Sequence, residues 1–228
     1  KVRSTQYIGQ FGEVVMLKVL IVDDHDVVSQ GISRVLQDVN GVDVVGVVHC
    51  GEDAIVQSKT LQPDIVLMDV HMPGIGGLGA TKEIKRLFPR IKIIALSALE
   101  DNLYPVKLLE AGASGYLTKG TKTSEILEAL EAVSKGEHYI SKSVAQRMAL
   151  SKFSIDGEGS PLGQLSDREL QVAQMIIDCK KSNEIAELLN VSPKTVSTYR
   201  TRIFSKLSID SDVELIHLTI RYNVLGMG

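Results

Sequence analysis

The chain contains no tryptophan, and aromatic residues make up only 4% of its 228 positions. Its cores must therefore be aliphatic, and no aromatic platform for stacking single-stranded nucleic acid is visible. No apolar stretch approaches the ~20 residues of a membrane helix. Cysteine is scarce. Cys50 and Cys179 stand far apart and match no metal or redox spacing, which excludes a disulfide framework and a cysteine-built zinc site. They read as buried, reduced thiols of a cytoplasmic protein. Neither charge sign dominates. A net charge of −3 decides nothing about nucleic acid until it is divided along the chain.

What is present is ordinary for a globular protein, with 44% apolar and 23% charged residues, and the length suits one or two domains. Residues 1–15 lack an amphipathic pattern, and Met16-Leu17-Lys18-Val19 looks like a natural start, so residues 1–15 are expected to be a tag or extension. From Leu17 the pattern alternates. Nearly uninterrupted Val/Ile/Leu runs lie at 17–22, 43–48, 64–68, 91–96 and 114–117, as strands buried on both faces should. Between them, helix-like segments are expected at 27–39, 53–60, 77–87, 105–111 and 123–134. The first places Val28, Ile32, Val35, Leu36 and Val39 on one face. Five strands alternating with five helices predict a doubly wound α/β domain over residues 16–135.

Residues 136–163 are expected to be a linker, with a short helix near 141–150 and a Gly-rich flexible tether at 151–163. Four helices are expected within 164–226, at about 167–178, 183–189, 193–207 and 211–222. Ser166-Asp167-Arg168-Glu169 and Ser211-Asp212-Val213-Glu214 read as capping boxes. Ser182 and Ser192-Pro193 read as helix starts. Asn190-Val191-Ser192 makes a tight turn between the middle two helices, giving a helix-turn-helix candidate.

The first region's strand ends carry the chemistry. One run ends in Asp23-Asp24, the next informative one in Asp69, another in Ser97, and the last leads through Tyr116 and Thr118 to Lys119. At the carboxyl ends of parallel strands these groups gather in one crevice. Phosphoryl transfer to a carboxylate needs a nucleophile, a divalent cation and a fixed positive charge. Asp69 is the candidate nucleophile. Asp23, Asp24, Asp69 and the His71 carbonyl are the candidate Mg²⁺ ligands, Lys119 is the fixed cation, and Ser97 the hydrogen-bond donor to phosphate. Taken singly, each residue reads as a cap, a loop acid or a surface lysine. Their order at successive strand ends favours the joint reading. His71 itself reads as a side chain bordering the pocket.

Val22-Asp23-Asp24-His25, Leu67-Met68-Asp69-Val70-His71-Met72-Pro73-Gly74, Ser97 and Thr118-Lys119 resemble the receiver domain of two-component response regulators. The resemblance covers residues 17 to about 135. It implies that Asp69 takes phosphate from a sensor histidine kinase. It also implies a switch in which Ser97 moves toward the phosphate and Tyr116 rotates inward.

Residues 162–228 hold eight Lys/Arg and eight Asp/Glu, but Pro193–Leu207 has Lys194, Arg200, Arg202 and Lys206 and no acid. At ~100° per residue, Val196, Ile203 and Leu207 form one stripe flanked by Tyr199 and Phe204. Lys194, Thr198, Thr201, Arg202 and Ser205 lie opposite, with Ser197 at the border. Hydroxyls and cations on one helix face suit a major groove. From periodicity alone, a solvated face remains equally open.

Leu165-Ser166-Asp167-Arg168-Glu169-Leu170, Asn183-Glu184-Ile185-Ala186, Ser192-Pro193-Lys194-Thr195-Val196 and Lys206-Leu207 resemble the LuxR-type DNA-binding domain. With the receiver, this is the NarL/FixJ class. Met72–Leu78, Gly115–Gly120, Phe204–Leu207 and Asp212–Leu215 are similar to the GacA/UvrY group in particular. That resemblance implies a transcription factor acting on double-stranded DNA, with small regulatory RNA genes as targets and a BarA/GacS-like kinase as partner. It implies base contacts from Ser197, Thr198 and Thr201, backbone contacts from Lys194, Tyr199, Arg200 and Arg202, and Lys206 as a further DNA-binding residue. Arg200 lies near the packed side of its helix, so only its long stem could carry its charge outward. The last helix carries Val213, Leu215, Ile216, Leu218 and Ile220, more apolar residues than one stripe needs, and the resemblance makes it a homodimer contact.

Phosphorylation is expected to relieve an inhibitory contact between the domains and free the helix at 193–207. No enzymatic turnover is expected beyond phosphorylation and dephosphorylation at Asp69. Two rivals stand beside this. A phosphatase of the haloacid dehalogenase type wants a second acid two residues after its nucleophile, where this chain has His71. An adaptor whose helix-turn-helix binds protein would be excluded by salt-dependent duplex binding that collapses when Arg200 and Arg202 are neutralised.

Overall fold

The structure, a computed structural model, describes residues 16–97, 104–152 and 161–221. The expected extension at 1–15, residues 153–160 of the expected tether and the end of the chain from 222 lie outside them. Six parallel strands form one sheet: β1 (Leu17–Val22), β2 (Val42–Val48), β3 (Ile65–Asp69), β4 (Lys92–Ser97), β5 (Gly115–Thr118) and β6 (Tyr139–Ile140), in the order β2-β1-β3-β4-β5-β6. The helices between them are α1 (Asp26–Gln37), α2 (Gly51–Leu61), α3 (Gly76–Leu87), α4 (Tyr104–Glu110) and α5 (Thr123–Ser134).

The two-residue period of a strand sorts its side chains between faces. Val19, Ile21, Ile65 and Leu67 pack with Leu36 of α1 and Ile126, Ala129, Leu130 and Val133 of α5. Their neighbours Leu20, Val22, Val66 and Met68 pack on the other face, with Ala54 of α2 and Ala80 and Ile84 of α3. Apolar runs without alternation are what such double coverage requires. β1 has β2 on one side and β3 on the other. Strand order therefore reverses there, and a crevice opens at the carboxyl ends of β1 and β3.

The sheet has one strand more than the five expected. Tyr139 and Ile140, inside the stretch expected as linker, pair with Gly115 and Tyr116 of β5. α6 (Lys142–Lys152) follows, where a short helix was expected. Two residues carry too little periodicity to be recognised as a strand.

The second unit holds α7 (Asp167–Ile177), α8 (Ser182–Leu188), α9 (Pro193–Leu207) and α10 (Asp212–Arg221), preceded by a 3₁₀ turn at Pro161–Gln164. Ser166 and Glu169 form the expected capping box of α7. Ser192 accepts the Thr195 N–H at 3.1 Å, and Pro193 opens α9. The start of α8 differs from expectation. Lys181 is the residue before the helix, and its N–H is taken by Glu184 at 2.8 Å, so Ser182 lies in the first turn.

The two units share one apolar cluster. Val70, Leu78, Tyr104 and Leu108 of the sheet unit join Leu162, Leu165, Leu170 and Ala173 of the helical unit. The cysteines are both free, but they are not buried as expected: Cys50 is half-buried and Cys179 is exposed.

Candidate functional site

Asp69 is the last residue of β3 and is completely buried, as is Asp23 just beyond β1. The expected gathering of acids and lysine is present. Lys119, which follows β5, places Nζ 2.8 Å from Asp69 Oδ2 and 3.0 Å from Asp23 Oδ2. These contacts pair charge, but neither buried Oδ2 receives a well-aligned hydrogen bond. The His71 N–H donates to Asp69 Oδ1 at 3.2 Å. Lys119 is anchored through its backbone, whose N–H donates to the Ser97 carbonyl at 2.6 Å. Ser97, at the end of β4, is fully buried beside Thr118 in register.

Burial is the largest influence on the Asp69 carboxyl and pushes its pKa up to about 6. Lys119 pulls it down, Asp23 pushes it up, and the His71 N–H pulls it down. For Lys119, burial alone would lower the pKa, but Asp69 and Asp23 outweigh it and hold the ammonium above its ordinary value. The site is thus a buried carboxylate poised between neutral and charged, with a permanent cation against it.

Sequence reasoning missed His25. Its Nδ1 lies 2.8 Å from Asp24 Oδ1 and 3.3 Å from Asp23 Oδ1, and its backbone N–H donates to Asp23 Oδ1 at 2.9 Å. Ligand atoms of Asp23, Asp24, His25 and Asp69 all lie within 4.8 Å of one another. The signal was adjacency in Asp23-Asp24-His25. His71 borders the site, its ring edge-on to Tyr104 at 4.9 Å between centroids. Tyr116 is wholly enclosed in β5, so the inward rotation expected of it would start from a buried ring.

The loop after Asp69 has little freedom. A Cβ on Gly77 would run into the Asp69 carbonyl, and Gly74 has φ +70° with the Glu52 carboxylate in the space of a side chain. Glu52 accepts the Ile75 N–H at 3.0 Å. This loop is also where the helical unit docks. Arg168 donates to the Gly74 carbonyl at 2.5 Å, Gln171 donates to the Met72 carbonyl at 3.2 Å, and the Gly74 N–H reaches the Leu188 carbonyl at 2.9 Å. Lys82 pairs with Asp167, and Lys107 of α4 donates to the Leu165 carbonyl at 2.9 Å. A cavity of about 190 Å³ remains at the seam, between Gly76–Gly79, Tyr104 and Arg168.

On α9, Val196, Ile203 and Leu207 are the buried stripe that helical geometry predicted, with Tyr199 and Phe204 half-buried beside it. Lys194, Ser197, Thr198, Thr201, Arg202, Ser205 and Lys206 are exposed. The hydroxyls of Ser197, Thr198 and Thr201 donate to carbonyls one turn back, at 3.0 to 3.1 Å. Their acceptor lone pairs are left outward. Two expected DNA contacts are engaged within the unit instead. Arg200 holds both carboxylate oxygens of Asp212 at 2.6 Å, and Lys206 pairs with the buried Glu169 at 2.6 Å. The outward side chains of α9 are exposed. The receiver touches α7 and α8.

Residues 19–131 match the family described as "Response regulator receiver domain", and residues 163–219 match "Bacterial regulatory proteins, luxR family". "Response regulator GacA" of Pseudomonas syringae pv. syringae (strain B728a) is 49% identical over 210 residues, covering 92% of this chain and 98% of that protein. "Response regulator UvrY" of Escherichia coli (strain K12) is 50% identical over 209 residues, covering 92% and 96%. Among solved structures, the RcsB response regulator of Salmonella typhimurium superposes with TM-score 0.70 at 28% identity, covering 91% of this chain and 98% of that one. RcsB of Salmonella enterica serovar Typhimurium, bound to promoter P1flhDC with the phosphomimetic BeF3-, gives TM-score 0.65 at 30% identity, covering 89% and 98%. No helix among the described residues is long and apolar enough to cross a membrane. The chain belongs to the two-component response regulators that join a receiver to a LuxR-type DNA-binding domain, and is a transcription factor homologous to GacA and UvrY.

Proposed function

We propose that Asp69 accepts a phosphoryl group from a phosphohistidine of a sensor kinase of the BarA/GacS kind, in the cytoplasm, and that this controls DNA binding by the helical unit. The observation that carries the reading is the buried pairing of Asp69 with Lys119 at 2.8 Å, beside Asp23. A carboxylate oxygen of Asp69 attacks phosphorus. The new P–O bond forms as the P–N bond to the donor imidazole breaks, and the freed imidazole takes up a proton from solvent. Lys119 neutralises charge on the phosphoryl oxygens. Ser97 donates to a phosphoryl oxygen after transfer, and Tyr116 responds to that movement.

The residues present fit a divalent cation. Three carboxylates against one ammonium leave a charge of about −2, and the buried Oδ2 atoms of Asp23 and Asp69 lack aligned hydrogen bonds. Mg²⁺ would be held by Asp23, Asp24, Asp69 and the His71 carbonyl, and when bound it neutralises the oxygens of the transferring phosphate.

Ser197, Thr198 and Thr201 then read base edges, while Lys194, Tyr199 and Arg202 hold phosphates. Arg200 and Lys206 would have to leave Asp212 and Glu169 to join them. A homodimer forms through α10, whose Val213 and Ile220 are exposed, and the targets are small regulatory RNA genes. We assign the receiver to residues 16–140, which takes in β6, and the DNA-binding unit to 164–226. The seam at Gly74 lies in the loop that follows Asp69, so phosphorylation acts on the docking of α7 and α8. The test is acetyl phosphate labelling with genomic footprinting. Asp69→Asn should take up no label and show no phosphorylation-dependent footprint. Labelling of that variant at full stoichiometry would overturn the assignment.

A further inference from the structure

We propose that the cavity at the seam between the two units binds a small apolar monocarboxylate, its hydrocarbon against the receiver and its carboxylate on Arg168. The site uses none of the residues assigned above to phosphate, cation or DNA.

Protein interiors leave few voids larger than a water molecule, and this one holds about 190 Å³. Glycines make the space. Gly76, Gly77 and Gly79 line it, where other residues would place side chains. The rest of the receiver's wall is apolar and includes the buried Val70, Leu78 and Tyr104. The helical unit closes the cavity with Asp167, Arg168 and Gln171. An apolar wall facing a polar one selects an amphipathic guest. Volume sets its size. A cavity of about 150 Å³ accepts benzene, so a single ring with a short acidic arm suits this one.

Arg168 supplies the charge complement. It donates to the Gly74 carbonyl at 2.5 Å, to Gln171 Oε1 at 2.7 Å and to the Leu189 carbonyl at 2.7 Å. All three acceptors are neutral. The neighbouring acid, Asp167, is paired with Lys82. Of the five N–H donors of a guanidinium, three are spent in this way and two are left. A carboxylate on Arg168 gains a charge-assisted hydrogen bond that an uncharged group of the same shape does not. Gln171 does not compete as a donor, because its Nε2 is given to the Met72 and Gly74 carbonyls.

Because the walls come from both units, the site is complete only when they are docked. A ligand bound there stabilises docking by mass action. Its consequence for signalling rests on the function proposed above: if phosphorylation acts on this docking, the ligand opposes the phosphorylated state. Binding itself is measured on protein that carries no phosphate, and so stands or falls apart from the assignment of Asp69.

The experiment titrates the full chain with sodium phenylacetate and with phenylacetamide, which share a shape and differ in charge, and follows the amide resonances of Gly76, Gly77 and Gly79. Phenylacetate should bind with a dissociation constant of about 1 mM or below and about tenfold more tightly than the amide. Arg168→Gln should erase that advantage. Gly79→Leu, which places a side chain at the cavity wall, should bind neither compound. At ten times its dissociation constant phenylacetate should slow exchange of the Gly74 amide about elevenfold, since that N–H is bonded across the seam. Equal affinity for acid and amide, or an advantage that survives in Arg168→Gln, would overturn the carboxylate. Undiminished binding to Gly79→Leu, or Gly74 exchange unchanged at saturation, would overturn the cavity as the site. No shift with either compound would overturn the proposal whole.

Discussion

Gln171 of α7 donates to the carbonyls of Met72 and Gly74, at 3.2 and 3.3 Å, and so ties the DNA-binding unit to the loop that leaves Asp69. Both bonds cross the seam. Within its own unit Gln171 Oε1 accepts from Arg168 at 2.7 Å, while Arg168 also donates to the Leu189 carbonyl at 2.7 Å. Gln171 therefore probes docking without removing a bond to its own unit's backbone.

Gln171→Ala should loosen the seam without unfolding either unit. Each neutral hydrogen bond is worth about 1 kcal/mol net, so docking should weaken by roughly five- to thirtyfold. Hydrogen exchange at the Gly74 amide reports this directly, because that N–H is spent on the Leu188 carbonyl across the seam. Faster exchange at Gly74 with unchanged exchange in β1 and β3 is the expected pattern. Unchanged exchange at Gly74 would mean that the seam does not depend on this residue.

Asp69→Asn should stabilise the metal-free protein near neutral pH. Burial raises the folded-state pKa of Asp69 from the ordinary 3.8 to about 6, so between those values the folded state binds more protons than the unfolded one. Stability therefore falls as pH rises through about 6 and is regained below about 4. The gain in the variant is at most about 3 kcal/mol, present above pH ~6 and absent below pH ~4. Urea denaturation in chelator across that range checks it. A gain that persists at low pH would trace to something other than this carboxyl.

The strands, the site acids and the buried stripe of α9 were legible because each rests on local order. Uninterrupted apolar runs mark doubly covered strands, and a residue at the end of such a run is delivered to the crevice by topology. Val196, Ile203 and Leu207 share a face through helical period alone. What could not be read depends on distant partners. The short β6 exists because Tyr139 and Ile140 meet the edge of β5. The bond from Arg200 to Asp212 needs the angle between α9 and α10. His25 joins the acids only through the turn that folds it back onto Asp23 and Asp24. No periodicity announces the seam at Gly74, which is built from backbone carbonyls.

Lys119→Met should destabilise the metal-free protein strongly, because it leaves Asp69 and Asp23 buried without their shared cation. Removing one partner of a buried pair typically costs about 3–5 kcal/mol. Two conditions should restore part of the loss. Lowering pH to about 5 protonates Asp69, and millimolar Mg²⁺ substitutes one positive charge for another. Thermal melts at neutral and acid pH, with chelator or with Mg²⁺, separate these effects. A melting temperature that neither acid nor Mg²⁺ raises would show that the lysine acts through packing of its stem.

The cations of α9 should divide into two classes when neutralised. Lys194 and Arg202 are exposed without a partner acid among the described contacts, so Lys194→Ala and Arg202→Ala should each lower the salt dependence of duplex binding by about one counterion. Their effect on melting should be small. Arg200 is half-buried, held by both oxygens of Asp212 at 2.6 Å and set over the Phe204 ring at 5.8 Å. Arg200→Ala should cost about 1–3 kcal/mol of stability through that charge-assisted pair and leave the salt slope nearly unchanged. Calorimetry for stability and anisotropy against salt for binding give the two readouts. A full unit lost from the slope in Arg200→Ala, with melting intact, would mean that the guanidinium abandons Asp212 for a phosphate on DNA.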